Sequence, residues 1–222
     1  MSAIKEFHHN EIEQGQRAAI TDKRDYPILF DTQMVKSIIS GKKTQTCRLF
    51  KSPLLKVMEP AHEIRHDEGK WIAHLKNGQC IKYPIVCPYG EPGDLLWVKE
   101  TWAPAITDIA YKADYTKEVL KEKRNKGIWK PSVHMPKTAA RLWLEITDVK
   151  ARRIQSVTEE EAKQEGTRAD KIFGFSPEGP NNFREGFYLK WISIYGIESY
   201  YENNWVWAIK FQILPLQKNA PL

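Results

Sequence analysis

Apolar residues recur with helical spacing in two segments of the chain, and a helix cap marks a third. The segment 31–41 has an i, i+4 apolar stripe between an aspartate and a glycine, residues that favour the beginning and the end of a helix. In the segment 158–166, a threonine followed three residues later by a glutamate forms a capping box, which predicts a short helix. In the segment 183–196, aromatic residues at every fourth position predict a third helix.

Alternating apolar and polar residues, which are typical of half-buried strands, predict most of the remaining structure. One predicted hairpin covers 71–83, where Asn77 and Gly78 favour a tight turn. Short strands mixed with short helices indicate an α+β fold, and closing about five to seven mostly antiparallel strands into a small barrel would protect their edges. The other predicted strands are 27–30, 44–49, 95–102, 141–149 and 205–213.

The chain of 222 residues divides into a polar arm and one domain. Residues 1–25 have mixed charge and no apolar period, so we expect a flexible arm. We expect residues 26–216 to form a single domain with a charged insertion near 111–128. No apolar run approaches the ~18 residues of a membrane span, so no membrane partner is expected. The three cysteines include no C-x-x-C pair, which favours a reducing, cytoplasmic location.

Basic residues are concentrated in one part of the sequence. The chain has 34 Lys and Arg against 28 Asp and Glu, a net charge of +6. Residues 111–155 contain twelve basic and five acidic residues, so this stretch has a net charge of +7 and the rest of the chain −1. Such a stretch suits the phosphate backbone of a nucleic acid, and an ordinary solvated face is the alternative.

The segment 41–48, Gly-Lys-Lys-Thr-Gln-Thr-Cys-Arg, is the strongest candidate for a site. It lies at a predicted junction of helix and strand, where Lys42, Lys43 and Arg48 can hold a phosphate or an oxyanion. A lysine whose pKa is lowered by burial or by neighbouring positive charge can remove the proton of a hydroxyl, such as that of Thr46. The alternative interpretation is a solvated turn.

Glu165 is placed unusually, because it is the last residue of a predicted helix. The helix dipole is negative there and disfavours a carboxylate, so the pKa of this group can be raised. A raised pKa suits a general acid, and an exposed glutamate without a role is the alternative.

Two other motifs have competing interpretations. In 129–137, two prolines stiffen the chain around Ser132 and His134, which are positioned either to contact a ligand or to form a structural strap. The segment 62–66 matches the zinc motif H-E-x-x-H, but a proline precedes it and a glycine soon follows, so no sustained helix is expected. We therefore predict neither a metal nor another cofactor.

Four stretches of the sequence together resemble the ASCH-domain family of the PUA-like superfold, in the variety common in phages and prophages. The stretch 34–48 contains the family pattern G-x-K-T-x-T-x-R, and the stretch 156–166 ends in its T-E-x-x-A-x-Q-E helix. The stretches occur in the family's order, although the arm and the charged segment 114–126 lie outside them. They are MVKSIISGKKTQTCR (34–48), EPGDLLWVKETW (91–102), WKPSVHMPKTAARLWLEITDV (129–149) with SVTEEEAKQEG (156–166), and LKWISIYG (189–196) with NNWVWAIKF (203–211).

The resemblance implies a PUA-like β-barrel flanked by helices, with a cleft that binds RNA or a modified nucleoside. Small bacterial members of the family remove the acetyl group of N4-acetylcytidine, and a lysine, a threonine and a glutamate are proposed to act there. Those residues match Lys43, Thr46 and Glu165, which are also candidates on physical grounds alone. This chain is longer than those members, which leaves its substrate open.

Three functions are compatible with the sequence. The first is hydrolysis of an acylated pyrimidine, in which Lys43 activates Thr46 or a water, Glu165 protonates the leaving nitrogen, and Arg48 or Lys42 stabilises the oxyanion. The second is a non-catalytic module that binds RNA or modified nucleic acid, and the third is a ribonuclease with His134 or Lys43 as base. The sequence does not tell which protein partners, if any, the chain has. The expected substrate-binding residues are Lys42, Arg48, Ser132, His134, Lys137 and Arg141.

Overall fold

The computed structural model describes seven stretches of the chain. They are residues 23–50, 61–67, 70–75, 77–104, 108–121, 128–167 and 182–215. The predicted arm 1–25 therefore lies outside the described residues except for its last three, which lead into the first strand. Within the charged insertion predicted near 111–128, residues 122–127 also lie outside them.

A sheet of five strands forms the centre of the fold, in the order β1-β6-β9-β10-β2. β1 and β6 are parallel, and the other three pairs of neighbours are antiparallel. The strands are β1 (Asp25–Leu29), β2 (Gln45–Leu49), β6 (Leu95–Lys99), β9 (Trp143–Arg153) and β10 (Trp205–Ile213). A three-stranded sheet contains β3 (Ala61–Asp67), β4 (Lys70–Leu75) and β5 (Cys80–Ile85), and β7 (Trp102–Pro104) pairs with β8 (Ile109–Tyr111).

The α+β composition is confirmed, but the predicted closed barrel is wrong. The five-stranded sheet is open, with β1 and β2 as its two edges, and among the strands that the structure describes none joins them. β1 and β2 follow each other in sequence, yet the helix between them carries the chain from one edge to the other. Alternating polarity shows which residues are buried but not which strands pair, so it does not predict closure.

Five α-helices occur in the described part of the chain. The predicted caps are present in two of them: the Asp31 carboxylate accepts from the Met34 N–H at 2.7 Å, and Thr158 with Glu161 forms the capping box. In the charged segment 114–126, residues 117–121 form a short helix, and residues 122–126 lie outside the described residues. The helices are α1 (Thr32–Ile39), α2 (Lys117–Lys121), α3 (Glu159–Gln164), α4 (Phe183–Tyr195) and α5 (Glu198–Tyr201).

β10 pairs with a strand on each side, and it is buried on both faces because each face packs against an apolar cluster. Trp207 and Ile209 on one face belong to the main core, which also contains residues of β1, β6 and the three-stranded sheet. Val206 and Ala208 on the other face pack in a second cluster beneath α3 and α4. In the first half of β10, the residues that alternate along 205–213 therefore face two different apolar clusters rather than core and solvent. The neighbouring β2 lies at the edge of this sheet, beside α1 and α3.

The H-E-x-x-H match at 62–66 lies on β3, a strand. Residues four apart on a strand are separated by about 13 Å along its axis, so this segment does not form the helical zinc motif. Among the described residues, no three His, Cys, Asp or Glu side chains are grouped as metal ligands. None of the described helices combines the length and the apolarity that crossing a membrane requires.

Candidate active site

A buried ion pair joins two residues that lie 122 positions apart in sequence. The Lys43 Nζ donates to Glu165 Oε2 at 2.6 Å and to the Glu165 carbonyl oxygen at 2.9 Å. The Lys43 side chain is 1% exposed and the Glu165 side chain 7% exposed. Two residues that the sequence predicts to be catalytic are thus brought together, at a depth where charged groups are rare unless they are paired.

Backbone hydrogen bonds hold this pair in place. Lys43 and Glu165 form an isolated antiparallel bridge, and the Thr44 N–H donates to the Gln164 carbonyl at 2.9 Å. The Lys43 N–H donates to the carbonyl of Ser37 at 3.0 Å. The last turn of α1, the start of β2 and the end of α3 therefore meet at one seam, and this seam sets where the two side chains lie.

Gly166 allows the seam to close. Its φ of +71° is one that glycine adopts without strain. A Cβ at this position would lie 2.9 Å from the Cβ of Lys43 and 3.1 Å from the Cβ of Ser37. The absence of a side chain at residue 166 is thus required for the close approach of Lys43 to the end of α3.

Burial lowers the pKa of Lys43 below its ordinary value. The Glu165 carboxylate acts in the opposite direction, and the nearby Arg48 cation adds to the lowering. The Lys43 Nζ donates directly to the Glu165 carboxylate, so a proton can pass between the two groups. The pair therefore places a potential base and a potential acid at the same point.

Arg48 is a half-buried cation whose hydrogen bonds all go to neutral oxygens. Its Nη1 donates to Thr46 Oγ1 at 2.7 Å and to the Cys47 carbonyl at 3.2 Å, and its Nη2 donates to the Leu29 carbonyl at 2.8 Å. Its guanidinium carbon lies 4.9 Å from the centre of the Phe30 ring. No carboxylate among the described residues forms an ion pair with it.

Thr46 is the buried side chain to which Arg48 donates a hydrogen bond. The Thr46 side chain is fully buried, and its hydroxyl accepts the hydrogen bond from Arg48 Nη1. The two residues share one face of β2, because they are two positions apart on a strand. Lys43 and Arg48 line a neighbouring cavity, whereas Thr46 does not.

A cavity of about 420 Å³ lies against Lys43, Arg48 and Glu165. α1 lines one side of it, and α4 lines the other with Phe187, Trp191 and other residues. This volume is in the range of sites for small organic ligands. The mixture of aromatic wall, buried ion pair and additional cation is suited to a flat ligand with one polar, reacting group.

Most residues of the cavity wall were missed by sequence reasoning, and two of them, Cys47 and Tyr195, carry groups that can ionise. Burial raises the pKa of the Cys47 thiol, and the adjacent Glu165 raises it further, so the thiol stays protonated and is a poor nucleophile. Burial also raises the pKa of Tyr195, whose phenol lies near Arg48 and Glu165. Tyr195 is the last member of the four-residue aromatic series in α4, and Cys47 lies between two predicted site residues; these positions are the only signals in the sequence.

The other predicted substrate-binding residues lie away from the cavity. Lys42 is exposed, and Ser132 and His134 belong to a short 3₁₀ turn. Lys137 pairs with Asp25 at 2.7 Å. None of these four residues, nor Arg141, lines the cavity, so a role for them in binding stays a prediction.

Arg141 holds together part of the structure. Its guanidinium donates to both carboxylate oxygens of Glu100, at 2.9 and 3.1 Å, and to Asp114 at 2.7 Å. Glu100 is 1% exposed, so its charge requires this partner. The contacts explain the position of Arg141 without a ligand.

The chain matches no protein-family model and no curated protein. Among solved structures, it is similar to the crystal structure of protein EF3133 from Enterococcus faecalis V583, which carries the family label DUF984. The alignment covers 98% of this chain and 96% of that one at 10% identity, with a TM-score of 0.39. So distant a similarity indicates neither a family nor an activity for this chain.

Proposed function

We propose that this chain hydrolyses the amide bond of an N-acylated pyrimidine nucleoside, with N4-acetylcytidine as the representative substrate. The observation that carries the proposal is the buried Lys43–Glu165 pair at the wall of a cavity of about 420 Å³. Acyl transfer from a poor leaving group needs a base and an acid at one place, and this pair supplies both. The motif of the resembling family, which contains the same two residues, supports the choice of reaction.

In the proposed reaction, a water attacks the acyl carbonyl while neutral Lys43 accepts one of its protons. The negative charge that develops on the carbonyl oxygen faces Arg48, which has no carboxylate partner in the described part of the chain. Lys43 passes this proton to the Glu165 carboxylate, its hydrogen-bond partner, and Glu165 transfers it to the pyrimidine N4 as the C–N bond breaks. The burial of Thr46 supports a water rather than its hydroxyl as the nucleophile.

A single nucleoside is the substrate that best suits the cavity. Its volume accommodates one base and a sugar but not a strand of RNA. Several cations of the basic stretch 111–155 already form ion pairs within the protein, which weakens the argument that this stretch binds a phosphate backbone. Cations of this stretch form ion pairs in Lys137–Asp25, Arg141–Glu100, Lys150–Asp148 and Arg152–Glu161.

Free thiols at all three cysteines fit a reducing, cytoplasmic location.

Turnover of N4-acetylcytidine by the purified protein tests the proposal. We expect cytidine and acetate to form in equal amounts, as measured by chromatography, and the reaction to continue in the presence of a chelator. Absence of conversion above the rate in buffer would refute the proposed activity.

Thr46→Val should lower kcat about tenfold or more with little change in the secondary structure, because Arg48 loses the hydroxyl that orients it. Thr46→Ser keeps a hydroxyl and should retain most of the activity. If Thr46 were the nucleophile, the valine variant would have no activity at all, and an acyl-enzyme would accumulate in the parent and be detectable by mass spectrometry.

Gly166→Ala should also lower kcat by about tenfold or more, because the new methyl group displaces Lys43. Gly41→Ala is the matched control: its φ of +70° is nearly the same, but nothing lies within 4 Å of the added Cβ. Both variants should lose about 1–2 kcal/mol of stability from the left-handed backbone, and only the first should lose activity. Equal activity in the two variants, measured beside thermal unfolding, would contradict the positioning role of Gly166.

A further inference from the structure

We infer that the cavity contains a carboxylate-binding subsite at Arg48, which holds the acid product of the reaction after the nucleoside has left. This inference rests on the proposed function for the identity of the product. The anion site itself rests only on the charges and contacts of the cavity wall.

Among the described residues, every charged side chain that lines the cavity, except one, forms an ion pair with a group of opposite charge. Lys43 is paired with Glu165, and Lys190 with Asp31 at 2.6 Å. The cavity-lining Cys47 and Tyr195 stay neutral, because burial raises the pKa of both.

Arg48 is therefore the one lining cation, among the described residues, that has no carboxylate partner. A guanidinium has five N–H donors, and the three hydrogen bonds of Arg48 leave Nε–H and one N–H of Nη2 without a protein acceptor in the part of the chain that the structure describes. Guanidinium groups bind carboxylates through two such donors, with charge-assisted hydrogen bonds stronger than those to a neutral carbonyl. The unused capacity of Arg48 therefore matches a carboxylate.

The reaction creates this charge only when the amide bond has broken. The acylated nucleoside is neutral at its reacting group, and water adds to the carbonyl carbon as the C–N bond breaks. One proton of the water ends on N4 of the released nucleoside, and the other is lost when the carboxylic acid ionises. The products are thus a neutral amine and a carboxylate, and only the carboxylate complements the cation.

The expected consequence is an order of product release. Cytidine, which has no group that needs the cation, leaves first, and acetate leaves last. In steady-state kinetics acetate should then be a competitive inhibitor against N4-acetylcytidine, and cytidine a noncompetitive one. Competitive inhibition by cytidine together with no competition by acetate would overturn the order and the inference.

Equilibrium binding tests the subsite without turnover. Acetate and acetamide have nearly the same shape and differ in charge, so titration of the full-length protein with each should show acetate binding about tenfold tighter or more. Arg48→Met should abolish this preference, whereas Arg48→Lys, which keeps the charge, should retain part of it. Lys190→Met is the matched control, because that cation is already neutralised by Asp31, and it should change acetate affinity by less than about threefold.

The outcomes separate the two proposals. Equal binding of acetate and acetamide by the parent, or a preference for acetate that survives in Arg48→Met, refutes the carboxylate subsite even if N4-acetylcytidine is hydrolysed. A strong preference for acetate that disappears in Arg48→Met supports the subsite even if the nucleoside is not a substrate, in which case only the proposed function fails. Thermal unfolding of each variant confirms that the folded protein is being titrated.

Discussion

Lys43→Met is expected to reduce the turnover of N4-acetylcytidine by about 10³-fold or more, because it removes the base that activates the water. In the parent, the rate should rise with pH and level off below pH 10.5, since only the neutral amine is a base and burial lowers its pKa from that ordinary value. In the variant, this rise should disappear. Initial rates measured across the pH range, with substrate in excess, check both statements.

The same substitution also affects stability, so activity must be separated from folding. Without Lys43, the buried Glu165 carboxylate has lost its partner, which costs about 3–5 kcal/mol in the free energy of unfolding. The double variant Lys43→Met/Glu165→Leu removes both charges, and it should recover much of this stability while remaining inactive. Lys163→Met, an exposed lysine on α3, is the control that should leave both quantities unchanged. Activity in a folded Lys43→Met protein would rule out the proposed role.

Glu165→Gln is expected to slow the same reaction by about 10²–10³-fold, because the pyrimidine nitrogen can no longer receive its proton from a carboxylic acid. The carboxylate also raises the pKa of Lys43, so its removal should move the rising limb of the pH–rate profile to lower pH. This shift follows from loss of the carboxylate charge, so it reports the contact of Glu165 with Lys43 and would be absent if the pair were not formed. The pH–rate profile of the variant is the measurement that tests this contact.

An ester substrate separates the acid from the base. The nitrophenolate of p-nitrophenyl acetate leaves without being protonated, so Glu165→Gln should retain most of any activity towards this ester that the parent has, and Lys43→Met should lose it. Glu160→Gln, an exposed glutamate on the same helix, is the matched control for the substitution. Equal losses on the amide and the ester in Glu165→Gln would contradict the assignment of Glu165 as general acid.

Local signals in the sequence predicted the elements that build the seam. The caps at Asp31 and Thr158 depend on side chains within three residues of the helix start, so they are visible in the sequence, and both helices begin where predicted. The glycine after Glu165 ends α3 for a similarly local reason. Lys43 and Glu165 stood out because each has an unusual local position, and their contact across the fold was suggested only by the family resemblance.

Interactions between distant segments were not predictable in the same way. The sequence did not reveal that β1 joins the sheet beside β6, which leaves the sheet open. It also did not show that the basic residues near 137–141 face acidic partners, since Glu100 and Asp114 lie in other segments. Thr46 looked like a nucleophile because its type fits, but its position two residues before an arginine on the same strand turns its hydroxyl towards that guanidinium.

The 122-residue separation between Lys43 and Glu165 has a consequence for the protein during its synthesis. At roughly 5–20 residues per second, the ribosome adds Glu165 about 6 to 24 seconds after Lys43. During that interval the lysine has no counter-charge, and the edge of β2 has no helix end to seal it. A nascent chain that stops before residue 165 therefore cannot bury this lysine at the seam, so its ammonium stays hydrated.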